Sequence, residues 1–149
     1  IDVFERAAEL RYYDGQELLL APSARYAGAI YMLGYCVELV LKVAYCRMVG
    51  IHPSDDVWAR FANITGLSPN LVRHHRIGDL HRSVAYERVS RGMATDPIFE
   101  GELQRLSLLA ASHWKEELRY RSLSASKLEA DEVDEAATWL MLHRDDVWK

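Results

Sequence analysis

The sequence is poor in the features that announce a particular chemistry. It has two cysteines, Cys36 and Cys46, ten residues apart on one predicted helix. Ten helical residues rise by roughly 15 Å, far beyond disulfide reach. Neither cysteine belongs to a Cys-x-x-Cys motif, so both are expected as small core residues in a reducing compartment, the cytoplasm. Positive charge is not in excess: the net charge is −4. That excludes a dedicated DNA binder working through a broad basic surface. A Gly-rich phosphate loop, a G-x-S-x-G elbow and a paired-carboxylate motif are all missing, and no cofactor is expected. Alternation of apolar and polar residues between hairpin turns is missing too, which argues against strands. The longest apolar stretch, Tyr26 to Val37, stops at Glu38, which is short for a bilayer, so no membrane partner is expected. No stretch reads as a secretory signal.

What remains is an ordinary globular composition, half apolar and 27% charged over 149 residues, the size of a single domain. Helical periodicity recurs along the chain. A first helix runs from about Asp2 to Leu20, with Phe4, Ala7, Ala8, Arg11 and Leu18-Leu19-Leu20 along one stripe. Gly15 in its middle suggests a kink or a close approach. A second helix starts near Ser23, a good N-cap, and ends at Gly50, a good residue just past a helix end. It is apolar on nearly all sides, as a central helix with several neighbours must be. Gly28 and Gly34 would let another helix approach it.

A short helix is expected after Ser54, through Trp58. The next main helix runs from about Ile77 to Val89 through Leu80, Val84 and Tyr86, and Gly92 ends it. Asp96-Pro97, a cap followed by Pro at the first helical position, opens a helix through Phe99, Leu103, Leu106, Leu109 and Ala110. Lys115 to Lys127 reads as a Ser-rich loop. Asp131 opens a last helix holding Val133, Ala136, Ala137, Trp139, Leu140 and Leu142. Short connections between long helices favour an all-α, up-and-down bundle of five to six helices around the apolar helix at about 23–49.

Three segments together resemble the HEPN family (higher eukaryotes and prokaryotes nucleotide-binding domain). The stretch Ala29-Ile30-Tyr31-Met32-Leu33-Gly34-Tyr35-Cys36-Val37-Glu38-Leu39-Val40-Leu41-Lys42 is similar to that family's second-helix signature. Gly78-Asp79-Leu80 stands where many members have His-Asp-Leu, and Trp114 followed by Arg119-Tyr120 is similar to an element before the last helix. Tyr12-Tyr13 suits the pattern, and the resemblance spans approximately Glu5 to Trp148. It implies a helical bundle, frequent homodimerisation and a role in RNA or nucleotide biology. Members include toxins paired with a nucleotidyltransferase antitoxin, metal-independent ribonucleases and non-catalytic modules.

Glu38 and Lys42 are spaced i, i+4 with the acid first, the favourable order for a helical ion pair. They fix helix packing, or Glu38 orients an arginine of the loop, Arg119 or Arg121. The family's ribonucleases carry Arg, four to six residues, then His: arginine stabilises charge on phosphate and histidine moves a proton. Around Arg119 to Lys127 this chain has no histidine. Arg47/His52 and Arg76/His81 match the spacing elsewhere, but 14 arginines and 6 histidines make chance matches expected. Arg47/His52 straddles the helix end at Gly50, so Arg76 and His81 are the catalytic candidates that remain. They lie in a cluster with Arg73, His74, His75 and Arg82 that could hold phosphate or be a solvated basic loop. No carboxylate completes those histidines as a zinc site. Glu38, Lys42, Arg119, Tyr120 and Arg121 are the ligand-binding candidates, with Tyr120 available to stack on a base.

Overall fold

Two of the main helices end at a glycine whose backbone conformation offers the last carbonyls alternative partners. The computed structural model describes residues 2–51, 76–115, 118 and 125–149. They form α1 (Asp2–Leu20), α2 (Tyr26–Met48), α3 (Ile77–Ser90), α4 (Pro97–His113), α5 (Lys127–Leu142) and α6 (Arg144–Trp148). No strand occurs among the described residues, and the architecture is an all-α bundle. The short helix expected after Ser54 lies outside the described residues.

Gly50 and Gly92 both take left-handed backbone, φ +72° and +68°, where a Cβ would be strained. After α2, the Gly50 N–H donates to Arg47 O and the Ile51 N–H to Cys46 O. After α3, the Gly92 N–H donates to Val89 O and the Met93 N–H to Arg88 O. Both pairs of bonds form a Schellman motif, which satisfies the last carbonyls of its helix. At the start of α4, the Asp96 side chain accepts from the backbone N–H groups of Ile98 and Phe99, with Pro97 at the first helical position. These ends follow the sequence reading.

Two helix starts differ from it. The second helix begins at Tyr26, not near Ser23, and Arg25 occupies its N-cap without a side-chain bond. The Arg25 N–H reaches back to Leu18 O at 3.1 Å, so a tight turn consumes residues 21–25. The last helix begins at Lys127, a full turn before Asp131. There Ser126 accepts from the Glu129 N–H while the Glu129 carboxylate accepts from the Ser126 N–H. This reciprocal capping box outweighs the cap offered by Asp131. The helix then breaks at His143, leaving α6 separate.

The helix α2 sits at the centre, packed by all five other described helices and most extensively by α1. The pairings fix direction. Glu5 near the start of α1 bonds Arg47 near the end of α2, so the two run antiparallel. Glu9, Tyr12 and Gln16 of α1 meet Arg144, Thr138 and Asp134 in reverse order, so α5 is also antiparallel to α1. Arg105 and His113 of α4 meet Glu135 and Glu132 of α5, a third antiparallel pair.

Close approach on α2 depends on small residues. A Cβ at Gly15 would lie 2.5 Å from Leu33 Cγ, so Gly15 lets α1 seat closely on α2. A Cβ at Gly34 would overlap Trp114 Cβ, Cγ and Cδ1. Trp114 ends α4, is buried, and its indole N–H donates to Tyr31 O at 3.0 Å. Three apolar residues expected on buried stripes instead face outward: Leu20, Tyr86 and Leu142 are 81%, 72% and 76% exposed.

By length and composition α2 could cross a membrane, with a mean hydropathy of 1.5 over its most apolar window. In the folded chain most of that window is buried against the other helices. The apolar window is thus longer than the stretch Tyr26 to Val37, because apolar residues resume directly after Glu38.

Candidate functional site

The face of α2 that carries Gly34, Glu38 and Lys42, each four residues from the last, is the chemically distinctive part of the molecule. Glu38 is fully buried and the Lys42 side chain only 5% exposed, and Lys42 Nζ donates to Glu38 Oε1. Two charges removed from water are tolerated only as a bonded pair, because leaving either alone costs about 3–5 kcal/mol. The surrounding side chains of α2, Val37, Leu39, Leu41 and Val43, are buried and apolar.

One turn N-terminal of Glu38, Gly34 receives Trp114, whose ring stacks on Tyr31 with centroids 6.4 Å apart. The chain leaving α4 is thus anchored on the same face of α2 as Glu38. It continues through Lys115 to the half-buried Leu118, whose N–H bonds Lys115 O, and packs on the core. Arg119, Tyr120 and Arg121 lie outside the described residues, as do His52, Arg73, His74 and His75.

Arg76 and His81 occupy different environments on α3. Arg76 stands at the N-cap, its side chain 69% exposed and 3.4 Å from the Asp79 carboxylate. Arg82 pairs with the same carboxylate. His81 faces the core at 7% exposure. Burial holds its pKa below the usual histidine value, reinforced by Arg82 and opposed by Glu100. Five helical residues separate Arg76 and His81, which turns their side chains about 140° apart around the axis.

Both cysteines are buried and free. Burial pushes the thiols up to about 12 for Cys36 and about 11 for Cys46. Neither is a thiolate near neutral pH, so both are packing residues rather than nucleophiles. Among the described residues no three His, Cys, Asp or Glu side chains come together as a metal site.

The sequence reading missed Arg88. Its side chain is 5% exposed and bridges three elements. Nε lies 2.9 Å from Glu100 Oε1, and Nη1 donates to Asp146 O at 2.8 Å and Val147 O at 2.5 Å. The guanidinium also lies over the Phe99 ring, 4.9 Å from its centroid. One signal could have found it. Ile77, Leu80, Val84 and Arg88 share one face of α3 at spacings of three or four, so an arginine occupies a core register. Arg88 holds α3, α4 and α6 together, with every nitrogen of its guanidinium engaged inside the bundle.

Set against protein-family models, curated proteins and solved structures, the chain matches none of them.

Proposed function

We propose that this chain is a HEPN-like helical module that binds RNA, a nucleotide or a partner protein such as a nucleotidyltransferase, and does not cut RNA. A toxin–antitoxin or defence setting suits that role. The observation that carries the reading is the buried Glu38–Lys42 pair one turn from Gly34, where Trp114 anchors the chain leading to Arg119-Tyr120-Arg121. A fixed carboxylate on a rigid helix is suited to orient an arginine for bidentate phosphate contact. Tyr120 would stack on a base beside it. The ribonuclease reading has less support. Arg76 is turned to solvent and engaged by Asp79, while His81 is buried on a different face. A proton-transferring histidine needs access to its substrate.

Fluorescence anisotropy with labelled single-stranded RNA, and thermal shift with mono- and dinucleotides, test the proposal in EDTA buffer. Binding without cleavage is expected, weakened about tenfold when Arg119 and Arg121 are replaced by Ala, as loss of two phosphate contacts requires. RNA cleavage that persists in EDTA and disappears in His81→Ala would overturn it in favour of the enzyme. No response to any RNA or nucleotide would leave protein interaction as the role.

A further inference from the structure

Arg88 of α3 and Glu100 of α4 pair across the seam between their helices, and the same two faces meet again two turns away. The short connection between α3 and α4 makes them antiparallel, with the end of one beside the start of the other. Seven residues are two helical turns and return a side chain to within about 20° of its starting direction. His81 lies seven residues before Arg88, and Ser107 lies seven after Glu100. His81 and Ser107 therefore face each other, about 10 Å along the helices from the Arg88–Glu100 pair. Both point inward: His81 is 7% exposed and Ser107 fully buried. Across the same contact, Glu100 raises the His81 pKa against the larger effect of burial.

Neither side chain is bonded. Ser107 Oγ has no hydrogen-bond partner among the described residues, its own helix included. His81 makes no hydrogen bond or ion pair among them, and only burial and the more distant charges of Glu100 and Arg82 act on it. The neighbouring donors are already taken, Arg88 by Glu100 and the carbonyls of Asp146 and Val147, and Arg82 by Asp79. Buried polar groups are as a rule bonded to protein or to ordered water, because leaving them unbonded is costly.

We propose that the seam between α3 and α4 is a binding site for one water molecule, which bridges His81 and Ser107. Bound waters of this kind join buried polar groups that lack protein partners. Burial keeps the imidazole neutral near pH 7, so one ring nitrogen donates and the other accepts. A serine hydroxyl can do either. Water donates and accepts as well, so it satisfies both ends in either ring tautomer. Among the described residues no third ligand is present for a metal ion, and an anion would meet only an uncharged ring and a hydroxyl. The small exposure that His81 keeps gives water its way in from the surface. The bridge joins α3 to α4 at a second level, beyond the one that Arg88 holds. It is independent of what the module binds.

A high-resolution crystal structure of this chain should show one water within hydrogen-bond distance of a His81 ring nitrogen and of Ser107 Oγ. Thermal unfolding of Ser107→Ala, His81→Phe and the double variant tests the bridge in solution. Ser107→Ala should lower the melting temperature by about 2–4 °C more in wild type than in the His81→Phe background, where the water has lost one partner. The comparison removes the helix preference of alanine, which acts equally in both. Equal effects of Ser107→Ala in the two backgrounds would overturn the proposal. So would a direct bond between His81 and Ser107, or a crystal structure with no water between them.

Discussion

Replacing Gly34 with Ala should destabilise the protein, and the sign of that effect should reverse when Trp114 is also replaced by Ala. Gly34 lies inside α2, where alanine in place of glycine ordinarily contributes up to about 1 kcal/mol. Here the new Cβ would overlap the Trp114 side chain. The ring cannot retreat freely, because its N–H is bonded to Tyr31 O at 3.0 Å and it is buried. Overpacking of this kind costs about 1–3 kcal/mol, and losing the indole bond adds about 1 kcal/mol. After the propensity gain, Gly34→Ala should cost about 1–3 kcal/mol. Trp114→Ala alone should cost about 3–5 kcal/mol by leaving a cavity. In that cavity the Gly34→Ala methyl has room, so the second substitution should stabilise by up to about 1 kcal/mol. Urea unfolding followed by circular dichroism measures all four proteins, with the slope checked for constancy. If Gly34→Ala has the same effect in both backgrounds, the contact between this helix face and the indole is not what demands glycine.

Removing Arg88 should be among the most damaging single changes, since Arg88→Ala strands Glu100 and the carbonyls of Asp146 and Val147. A cost of about 3–5 kcal/mol is expected, on the order of 10 °C in melting temperature. The double variant Arg88→Met/Glu100→Leu should recover part of it, and no recovery would mean that the carbonyl bonds dominate. His81 should make the fold sensitive to mild acid. Its folded pKa lies below the unfolded value of about 6.5, so its contribution is full above that pH and is lost as pH falls. Wild type should lose melting temperature between about pH 7 and pH 5 more steeply than His81→Gln, and parallel curves would refute the assignment.

The helical class, the centrality of α2 and the Glu38–Lys42 pair were legible in the sequence because each rests on short-range spacing. The ends at Gly50 and Gly92 and the start at Asp96 were legible for the same reason: cap chemistry is local. Ser126 escaped although its Glu stands three residues on, because the Ser-rich stretch before it reads as loop. The core register of Arg88 on α3 was readable, but its partners lie 12 and 58 or more residues away, so local spacing could flag the arginine and not what it bonds. Gly34 was legible as part of a family-like signature, but its physical reason is Trp114, 80 residues later. Leu20 was counted with the inner stripe of α1 because it follows Leu18 and Leu19, yet it faces outward.

The position of the Glu38–Lys42 pair has a consequence while the chain is still being made. The helix α2 is complete long before α5 exists, an interval of roughly 5–20 s at ordinary rates of synthesis. Until then its flank for α5 has no cover, and its length and hydropathy are those of a bilayer span. Glu38 stands near the middle of Tyr26–Met48, the depth at which translocon insertion penalises a charged side chain most, by about 2.5–3.5 kcal/mol. The same two residues that close into a buried pair in the folded bundle therefore weigh, earlier, against the nascent helix being sorted into a membrane.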